Sequence, residues 1–385
     1  MEVFLDTEAK DFRAAVRSWV DGKCPKQRSL ELEAAPDYPE DLWRDMAEAG
    51  FHGIGIPEEY GGQGGGVVSQ ILLGQGLARS LAGLVTVWGI SSFAGAKALT
   101  AAGSEEQKQR FLPELAKGAV RFAIAITEPG GGTDVLGAMK TRAVRTHGGW
   151  RISGQKIWST GAHVADYLLV LAVTDPDASP ARRTSLFLLP RDSPGIESRT
   201  IPKLGMRSVA SCEVFLDDVH VPDELVLGEP GQGWFSLVEA LNNERILTAS
   251  FATGVIEGVL ECALEYLTDR HAFGGPIGRF QSLQHYIADI TGWLRQGELL
   301  TYHAAVLQQS GQPCGTDATL AKLITAEYAT QAADLGLQIL GGMGYAQETH
   351  MQRYWRDARI FRIAPITTEM AKNMVAQSHG LPRSY

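Results

Sequence analysis

Cysteine is scarce in this sequence, and its four cysteines lie far apart. Cys24, Cys212, Cys262 and Cys314 form no CxxC pair, the spacing that is typical of thiolate zinc sites and redox motifs. We therefore expect neither a disulfide framework nor a metal site. Reduced thiols are the rule in the cytoplasm, so the same observation predicts a cytoplasmic protein.

Positive charge is also in short supply. The chain has 35 Lys and Arg against 44 Asp and Glu, which gives a net charge of −9. Binding to nucleic acid depends on concentrated basic charge. We therefore expect no nucleic acid among the partners of this protein.

Long apolar runs are missing as well. The run YLLVLAV, residues 167–173, is too short to cross a bilayer. Residues 1–12 carry early acids and no apolar stretch of the kind that a signal peptide needs. These absences predict a soluble protein without a membrane partner.

The residues that are present change in character along the chain. Residues 1–120 show apolar residues at helical spacing. Residues 121–232 hold short alternating or β-branched runs between turn signals, which is typical of an antiparallel barrel or sandwich. Residues 233–385 return to long helical periodicity, as in a bundle. Because strands and helices do not alternate one by one, we predict an α+β protein of several domains rather than a parallel α/β sheet.

A glycine-rich stretch, AITEPGGGTDVLG at residues 125–137, is the first of three with chemistry to offer. Glycines let backbone N–H groups approach a ligand, and the neighbouring hydroxyls of Thr127 and Thr133 can complete a hydrogen-bonding cradle. A plain turn between two strands is the alternative interpretation.

The other two stretches are GQKIWSTGA, residues 154–162, and residues 338–362. In the first, Trp158 offers a flat apolar face beside the Thr160 hydroxyl, which suits a planar heteroaromatic ligand; a core tryptophan is the alternative. In the second, helical residues lead to a glycine break, and charged residues follow it. The alternative interpretation is a helix C-cap followed by a salt-bridged helix.

Taken together, these stretches resemble the acyl-CoA dehydrogenase family. ITEPGGGTD followed by Gly matches the family's first signature at every defined position. The second signature is matched by Gln338, Gly341, Gly342, Gly344, Tyr345, Glu348, Arg353 and Asp357. The segments PEEYGGQG, KLGMRS, VFLDDVHVP and RHAFGGPIGRFQ follow in the family's order. The resemblance implies a helical domain at 1–120, a middle antiparallel β-barrel domain at 121–232 and a C-terminal four-helix bundle at 233–385. It also implies non-covalent FAD at a subunit interface of a homotetramer, or of a dimer of the same kind.

The resemblance also implies roles for individual residues. The flavin would be held by Ile124, which departs from the family's usual aromatic residue, and by Ile126, Thr127, Gly132, Thr133, Trp158, Ser159 and Thr160. The adenine dinucleotide end of a cofactor shared with a neighbouring subunit would be held by Arg270, Phe273, Gln281, Gln338, Gly341 and Gly342. An arginine suits a pyrophosphate because it is always charged and offers a fork of donors. Thr367 and Glu369 lie where the family places further FAD contacts.

The family's usual catalytic base is absent. Many members carry a Glu eight residues after the Asp that closes the second signature, and here that position is Pro365. Isovaleryl- and long-chain acyl-CoA dehydrogenases instead place the Glu before an Arg on the first helix of the bundle. The segment LNNERIL, residues 241–247, has Glu244 before Arg245 at that place. The resemblance therefore assigns the base to Glu244, with Arg245 beside it.

Other interpretations of these residues stay open. Charged helix residues are usually exposed, so Glu244 paired with Arg245 or with water is the alternative. Glu348 and Glu369 are weaker candidates for the base. The thioester substrate would contact Thr133, Asn242, Arg245, Pro365 and Ile366.

The implied activity is FAD-dependent dehydrogenation of an acyl thioester in fatty acid or polyketide metabolism. A buried carboxylate, whose pKa rises toward working pH, would take a proton from Cα while a hydride leaves Cβ for flavin N5, giving an enoyl thioester. The substrate would be carried by CoA or by an acyl carrier protein. An electron-transfer flavoprotein would accept the electrons.

Pro365 complicates this expectation. The family commonly polarises the thioester oxygen with a backbone N–H at this position, and proline has none. Loss of one such donor typically costs about a hundred- to a thousandfold in rate, and Ile366 adds bulk where a Gly is usual. Three functions are therefore open: ordinary α,β-dehydrogenation with another donor; a related flavoenzyme with shifted regiochemistry or running as a reductase; and an inactive flavin-binding subunit of a heteromeric complex. No residue decides whether oxygen accepts the electrons, as in an oxidase.

Overall fold

A computed structural model describes residues 2–34 and 38–383 and shows a helical, then a β, then a second helical region. The first region contains α1 (Thr7–Lys23), α2 (Lys26–Ala34), α3 (Glu40–Glu48), α4 (Gly66–Ser80), α5 (Ala82–Ile90), a π-helical segment (Ser91–Lys97), α6 (Ala98–Ala102) and α7 (Glu105–Ala116). The strands are β1 (Phe122–Ala125), β2 (Arg142–Thr146), β3 (Gly149–Thr160), β4 (Tyr167–Val173), β5 (Thr184–Pro190), β6 (Ile196–Ile201), β7 (Ser211–Pro222) and β8 (Val226–Leu227). The last region contains α8 (Gly233–Asp269), the short strands β9 (His271–Ala272) and β10 (Gly275–Pro276), α9 (Gln281–Gln309), α10 (Gly315–Leu340), α11 (Gly342–Tyr345), α12 (His350–Ala358) and α13 (Thr368–Ser378).

Local sequence signals explain where several helices begin. The Asp6 side chain accepts a hydrogen bond from the backbone N–H of Ala9 and caps α1. Ser104 and Gln107 form a capping box at the start of α7. Such caps satisfy backbone N–H groups that have no partner within the helix.

One sheet of eight strands forms the middle region. Its strand order is β6-β7-β3-β2-β4-β5-β8, with β1 pairing off this path with β4. Most pairs are antiparallel, but β1 and β2 each pair with β4 in parallel. The predicted sequence of helical, β and helical regions is confirmed, and the predicted boundaries at residues 120 and 232 fall in the links between α7 and β1 and between β8 and α8.

Two hydrophobic cores position the site. The first joins the two helical regions, with Leu73 of α4, Ile246 of α8 and Ala329 of α10 among its members. The second fills the β region and also contains Leu237, near the start of α8. The segment of α8 between Leu237 and Ile246 therefore lies where the two cores meet.

Two expectations from composition have different outcomes. Among the described residues, all four cysteines are free and buried. The expectation that no apolar segment is long enough to span a bilayer is wrong, because Ala82–Ala102 and Gly233–Asp269 both meet that criterion by length and composition. Most of each segment is buried against the rest of the protein, and core helices of soluble proteins have the same property.

Candidate active site

A buried ion pair holds the loop that follows β1. Lys156 Nζ donates to Glu128 Oε1 at 2.9 Å and to the Ile126 carbonyl at 3.0 Å. The Glu128 carboxylate also accepts the backbone N–H groups of Lys140 and Thr141, at 2.7 and 2.9 Å. Burial acts to raise the pKa of Glu128, but the Lys156 charge and the bonds from Thr141 outweigh it, so that the pKa is lowered. Burial lowers the pKa of Lys156 to about 8. Glu128 therefore shapes this loop and is not available as a base.

The same loop is joined directly to the second predicted stretch. The Ile157 N–H donates to the Thr127 carbonyl at 2.9 Å, which brings the segment from Trp158 to Thr160 next to Thr127. Thr160 Oγ1 lies 3.0 Å from the hydroxyl of Ser211 on β7. Two sequence stretches that are about thirty residues apart thus form one surface.

A β-bulge turns Trp158 outward. The pairing of β3 with β7 passes from Lys156–Val214 to Ser159–Cys212, so β3 has one more residue than its partner. Trp158 has a left-handed φ of 62° and its side chain is 56% exposed. Bulges re-aim side chains and are common beside active sites. A bulky residue in this backbone region is a local strain that the surrounding structure must impose.

These residues fit a planar heteroaromatic cofactor such as a flavin. Trp158 supplies an accessible aromatic face. An added Cβ at Gly130 or Gly132 would meet nothing within 4 Å, so the loop backbone is open to a ligand. Ser159 Oγ is buried and has no hydrogen-bond partner within residues 2–34 and 38–383. Thr133 is exposed, and Ile124 and Ile126 are half-buried in and just after β1.

The residues predicted for the adenine dinucleotide end lie on exposed parts of the last region. Arg270 follows α8, Phe273 is 88% exposed between β9 and β10, and Gln281 begins α9. Gln338, Gly341 and Gly342 are exposed at the junction of α10 and α11. Within the described chain, no hydrogen bond joins this set to the loop of Thr127 or to Glu244.

Glu244 lies on α8 where the two cores meet. Protein surrounds its side chain, although part of that side chain stays accessible. Burial raises its pKa to about 7, and the charges of Arg245 and Lys322 act in the opposite direction. Arg245 Nη1 donates to Asn242 Oδ1 at 2.7 Å. Among the residues that the structure describes, the Glu244 carboxylate forms no hydrogen bond and no ion pair, so the expected surface pair with Arg245 is not observed.

Sequence reasoning missed Lys322. It lies fully buried on α10, and its Nζ donates to the Ile366 carbonyl. Burial and the Arg245 charge lower its pKa to about 8, against the Glu244 charge, which raises it. These interactions bring Pro365 and Ile366 into the neighbourhood of Glu244. The sequence does contain a signal for Lys322. It is a charged residue on a helix face that otherwise carries small apolar residues such as Ala318 and Ala321.

The two weaker candidates for the base have unsuitable surroundings. Thr367 caps α13, its Oγ1 accepting the Met370 N–H at 3.2 Å. Glu369 follows it, fully exposed, and hydrogen bonds from its own backbone and from Thr367 lower its pKa. Glu348 is exposed as well. A base for a weakly acidic C–H needs burial and a raised pKa, which disfavours both.

The charged residues of the second signature join three parts of the molecule. Asp357 Oδ1 on α12 accepts the Met206 N–H at 2.6 Å. Glu33 on α2 accepts the N–H groups of Arg207 and Ser208, at 3.0 and 3.1 Å. Arg353 Nη1 lies 3.6 Å from Asp357 Oδ2, with both side chains buried. These residues hold α2, the link between β6 and β7, and α12 together.

Comparison with known proteins agrees with this architecture. Residues 6–119, 123–219 and 231–380 match the N-terminal, middle and C-terminal domains of acyl-CoA dehydrogenase. The chain belongs to the acyl-CoA dehydrogenase family. It is 34% identical over 378 residues to the mitochondrial isovaleryl-CoA dehydrogenase of Oryza sativa subsp. japonica, covering 97% of this chain and 91% of that protein.

Solved structures give the same picture. Butyryl-CoA dehydrogenase from Megasphaera elsdenii superposes with a TM-score of 0.94 and 30% identity, over 98% of this chain and 99% of that one. The FAD complex of PigA superposes with a TM-score of 0.92 and 27% identity, over 98% of each chain. As an acyl-CoA dehydrogenase, this protein is an FAD-dependent oxidoreductase that acts on the CH–CH group of acyl thioesters.

Proposed function

We propose that Glu244 is the base that removes the α-proton of a saturated acyl thioester during α,β-dehydrogenation. The observation that carries this proposal is its setting: an enclosed carboxylate with a pKa raised to about 7 and with no hydrogen-bond partner in the described chain. An unpartnered carboxylate keeps its lone pairs for the substrate. Its raised pKa brings its basicity closer to that of a weak carbon acid at neutral pH.

The chain's other residues prepare the site for this step. Trp158 and the hydroxyls of Thr127 and Thr160 would bind the isoalloxazine ring, and the Glu128–Lys156 pair holds their loop in place. FAD, when bound, supplies the hydride acceptor that no side chain can provide. The protein's part is orientation of the thioester, exclusion of water and removal of the proton.

The negative charge that develops on the thioester oxygen needs a hydrogen-bond donor or a positive charge beside it. The backbone at position 365 cannot supply one, because Pro365 has no N–H. Arg245 is the best placed group. It is adjacent to Glu244, mostly buried, and its Nε has no hydrogen-bond partner within the described residues. A buried guanidinium stabilises a developing anion more strongly than it would in water. We propose that Arg245 takes over part of the role of the absent backbone donor.

The partners are proposals as well. The thioester is on CoA or on an acyl carrier protein, since both present the same reacting end. An electron-transfer flavoprotein accepts the electrons, in the cytoplasm. Phe273 and Tyr345 are 88% and 85% exposed, and apolar residues of this size on a surface favour burial in a homodimer or homotetramer.

Pro365 and Ile366 also favour a second candidate, a relative with shifted regiochemistry or one that runs as a reductase. Both residues are half-buried, and Lys322 holds the Ile366 carbonyl. Their bulk and the lost N–H alter the thioester position without removing the base. The Glu244 carboxylate argues against an inactive subunit, because an enclosed carboxylate without a hydrogen-bond partner in the described chain is costly to keep.

One experiment separates these functions. The flavin-loaded protein is mixed anaerobically with saturated acyl thioesters of graded length, on CoA and on an acyl carrier protein, and the bleaching of its flavin is followed. Mass spectrometry and NMR then locate the new double bond. We expect an α,β-enoyl product; a different position establishes the second candidate. No bleaching by any thioester would refute both dehydrogenase proposals. Reoxidation by air, compared with reoxidation by an electron-transfer flavoprotein, identifies the acceptor.

A further inference from the structure

The segment that replaces the family's usual base is held at both ends by a single helix. Lys322 of α10 donates to the Ile366 carbonyl. Glu327, on the same helix, accepts from Arg362 Nε at 3.0 Å and from Thr368 Oγ1 at 3.3 Å. Residues 362–368 are therefore fixed to α10 rather than supported only by their own turn.

Lys322 has a second neighbour besides this segment. Its ammonium is fully buried, and it interacts electrostatically with Glu244 and Arg245 on α8. A buried ammonium needs several hydrogen-bond or charge partners to offset its loss of water. The Ile366 carbonyl accepts its hydrogen bond, and the Glu244 carboxylate on α8 adds a favourable charge without a direct ion pair. Lys322 thus connects the base on α8 to the segment on which the usual base would lie.

We propose that Lys322 is a positioning residue, whose ammonium fixes the Pro365–Ile366 segment relative to Glu244 and keeps one positive charge facing that carboxylate. This inference rests on the proposed role of Glu244 and adds a residue to it. Lys322 has no accessible surface, so it acts through its two neighbours and does not touch the substrate. The long stem and single charge of a lysine suit this role, since it reaches across the interface between two helices.

The charges around the pair determine the sign of the effect. Arg245 faces both Glu244 and Lys322, Cys314 lies near Arg245, and Glu327 and Glu369 face Lys322 from α10 and α13. Burial favours the neutral form of Glu244, whereas Lys322 favours its ionised form. Removing the Lys322 charge must therefore shift the ionisation of Glu244 to higher pH.

The test is an infrared titration of the FAD-loaded protein. The protonated-carboxyl band of Glu244 is assigned by its loss in Glu244→Gln, and its midpoint is compared between wild type and Lys322→Met. We expect an upward shift of about one pH unit, the lower end of the effect of a neighbouring charge. The acid limb of kcat/KM should move by the same amount. Lys322→Arg, which keeps the charge, should leave the midpoint near its wild-type value.

Thr368→Val is the matched control. It removes a contact between Glu327 and the same segment without changing any charge, so it should leave the midpoint in place. An unchanged midpoint in folded, flavin-loaded Lys322→Met overturns the inference, and so does an equal shift in Thr368→Val. If Lys322→Met does not retain flavin, Lys322→Gln gives the same comparison. The infrared midpoint needs no substrate, so a wild-type protein that reduces no flavin with any thioester counts against the proposed function alone.

Discussion

Lys156 Nζ lies 2.9 Å from Glu128 Oε1 in a buried pair whose other partners are backbone groups. The pair joins strand β3, which carries Trp158, to the loop that carries Thr127 and Thr133. The pair therefore helps to hold both surfaces that would bind the flavin, together with the hydrogen bond from the Ile157 N–H to the Thr127 carbonyl. Glu128 belongs to the first signature, and its role here is to shape the loop.

Lys156→Met should reduce the retention of FAD and lower the melting temperature. Breaking a buried pair by removing one partner costs about 3–5 kcal/mol, because the other charge stays buried. Lys156→Met combined with Glu128→Gln should be less damaging than Lys156→Met alone, since no charge is then left unpaired. Flavin absorbance after purification and thermal unfolding measure both effects. A double variant that is as unstable as Lys156→Met alone, or more so, would contradict this prediction.

Glu244→Gln should retain FAD and lose flavin reduction by acyl thioesters. With a pKa raised to about 7, the ionised base is present above that pH, so the wild-type kcat/KM should rise through about pH 7 and then level off. The same shift predicts that Glu244→Gln gains more melting temperature relative to wild type at pH 8 than at pH 5.5 and gains none near pH 4, because the cost of burying the carboxylate grows from its ordinary pKa of 4.5 up to about 7. Glu48→Gln, at an exposed carboxylate at the end of α3, is the control and should stay active. Full activity of Glu244→Gln would place the base elsewhere.

Pro365→Ala should speed α,β-dehydrogenation, because it restores a backbone N–H where the family commonly has a donor. One donor to a developing oxyanion is typically worth about a hundred- to a thousandfold in rate, and we expect a gain of about tenfold or more. Pro365→Gly restores the same N–H with a more flexible backbone. If both variants speed the reaction to the same extent, the restored N–H and not the added flexibility is the cause. Single-turnover flavin reduction is the measurement. No gain in either variant would show that Arg245 or another group already supplies the donor.

Arg270→Ala should lower FAD occupancy and loosen the oligomer. The residue is exposed after α8, and a permanently charged fork of donors suits a pyrophosphate that lies across a subunit interface. Flavin content and light scattering after chromatography report the two effects. Arg199→Ala, at an exposed arginine of β6, is the control. An unchanged, fully loaded oligomer of Arg270→Ala would rule out the shared-interface role.

Periodicity predicted the order of the three regions because it depends on which face of each element is buried. It says little about β6, a strand at the edge of the sheet whose sequence IESRTI mixes polar and apolar residues. The bulge at Trp158 was also out of reach, because it arises from the pairing of β3 with β7. In the candidate site, the motifs indicated Thr127, Trp158 and Glu244. The contact of Lys322 with Ile366 joins positions 44 residues apart, and only tertiary packing creates it.

The contacts of Asp357 with Met206, and of Glu33 with Ser208, have a consequence for how such a protein can change its substrate. They set the relative placement of α2, α12 and the link between β6 and β7. Residues such as Pro365 and Ile366 are then free to differ, because the frame around them does not depend on their backbone donors. With Pro365 and Ile366 at the thioester, as proposed above, a new acyl pocket can arise by exchanging this short segment while the architecture stays as it is.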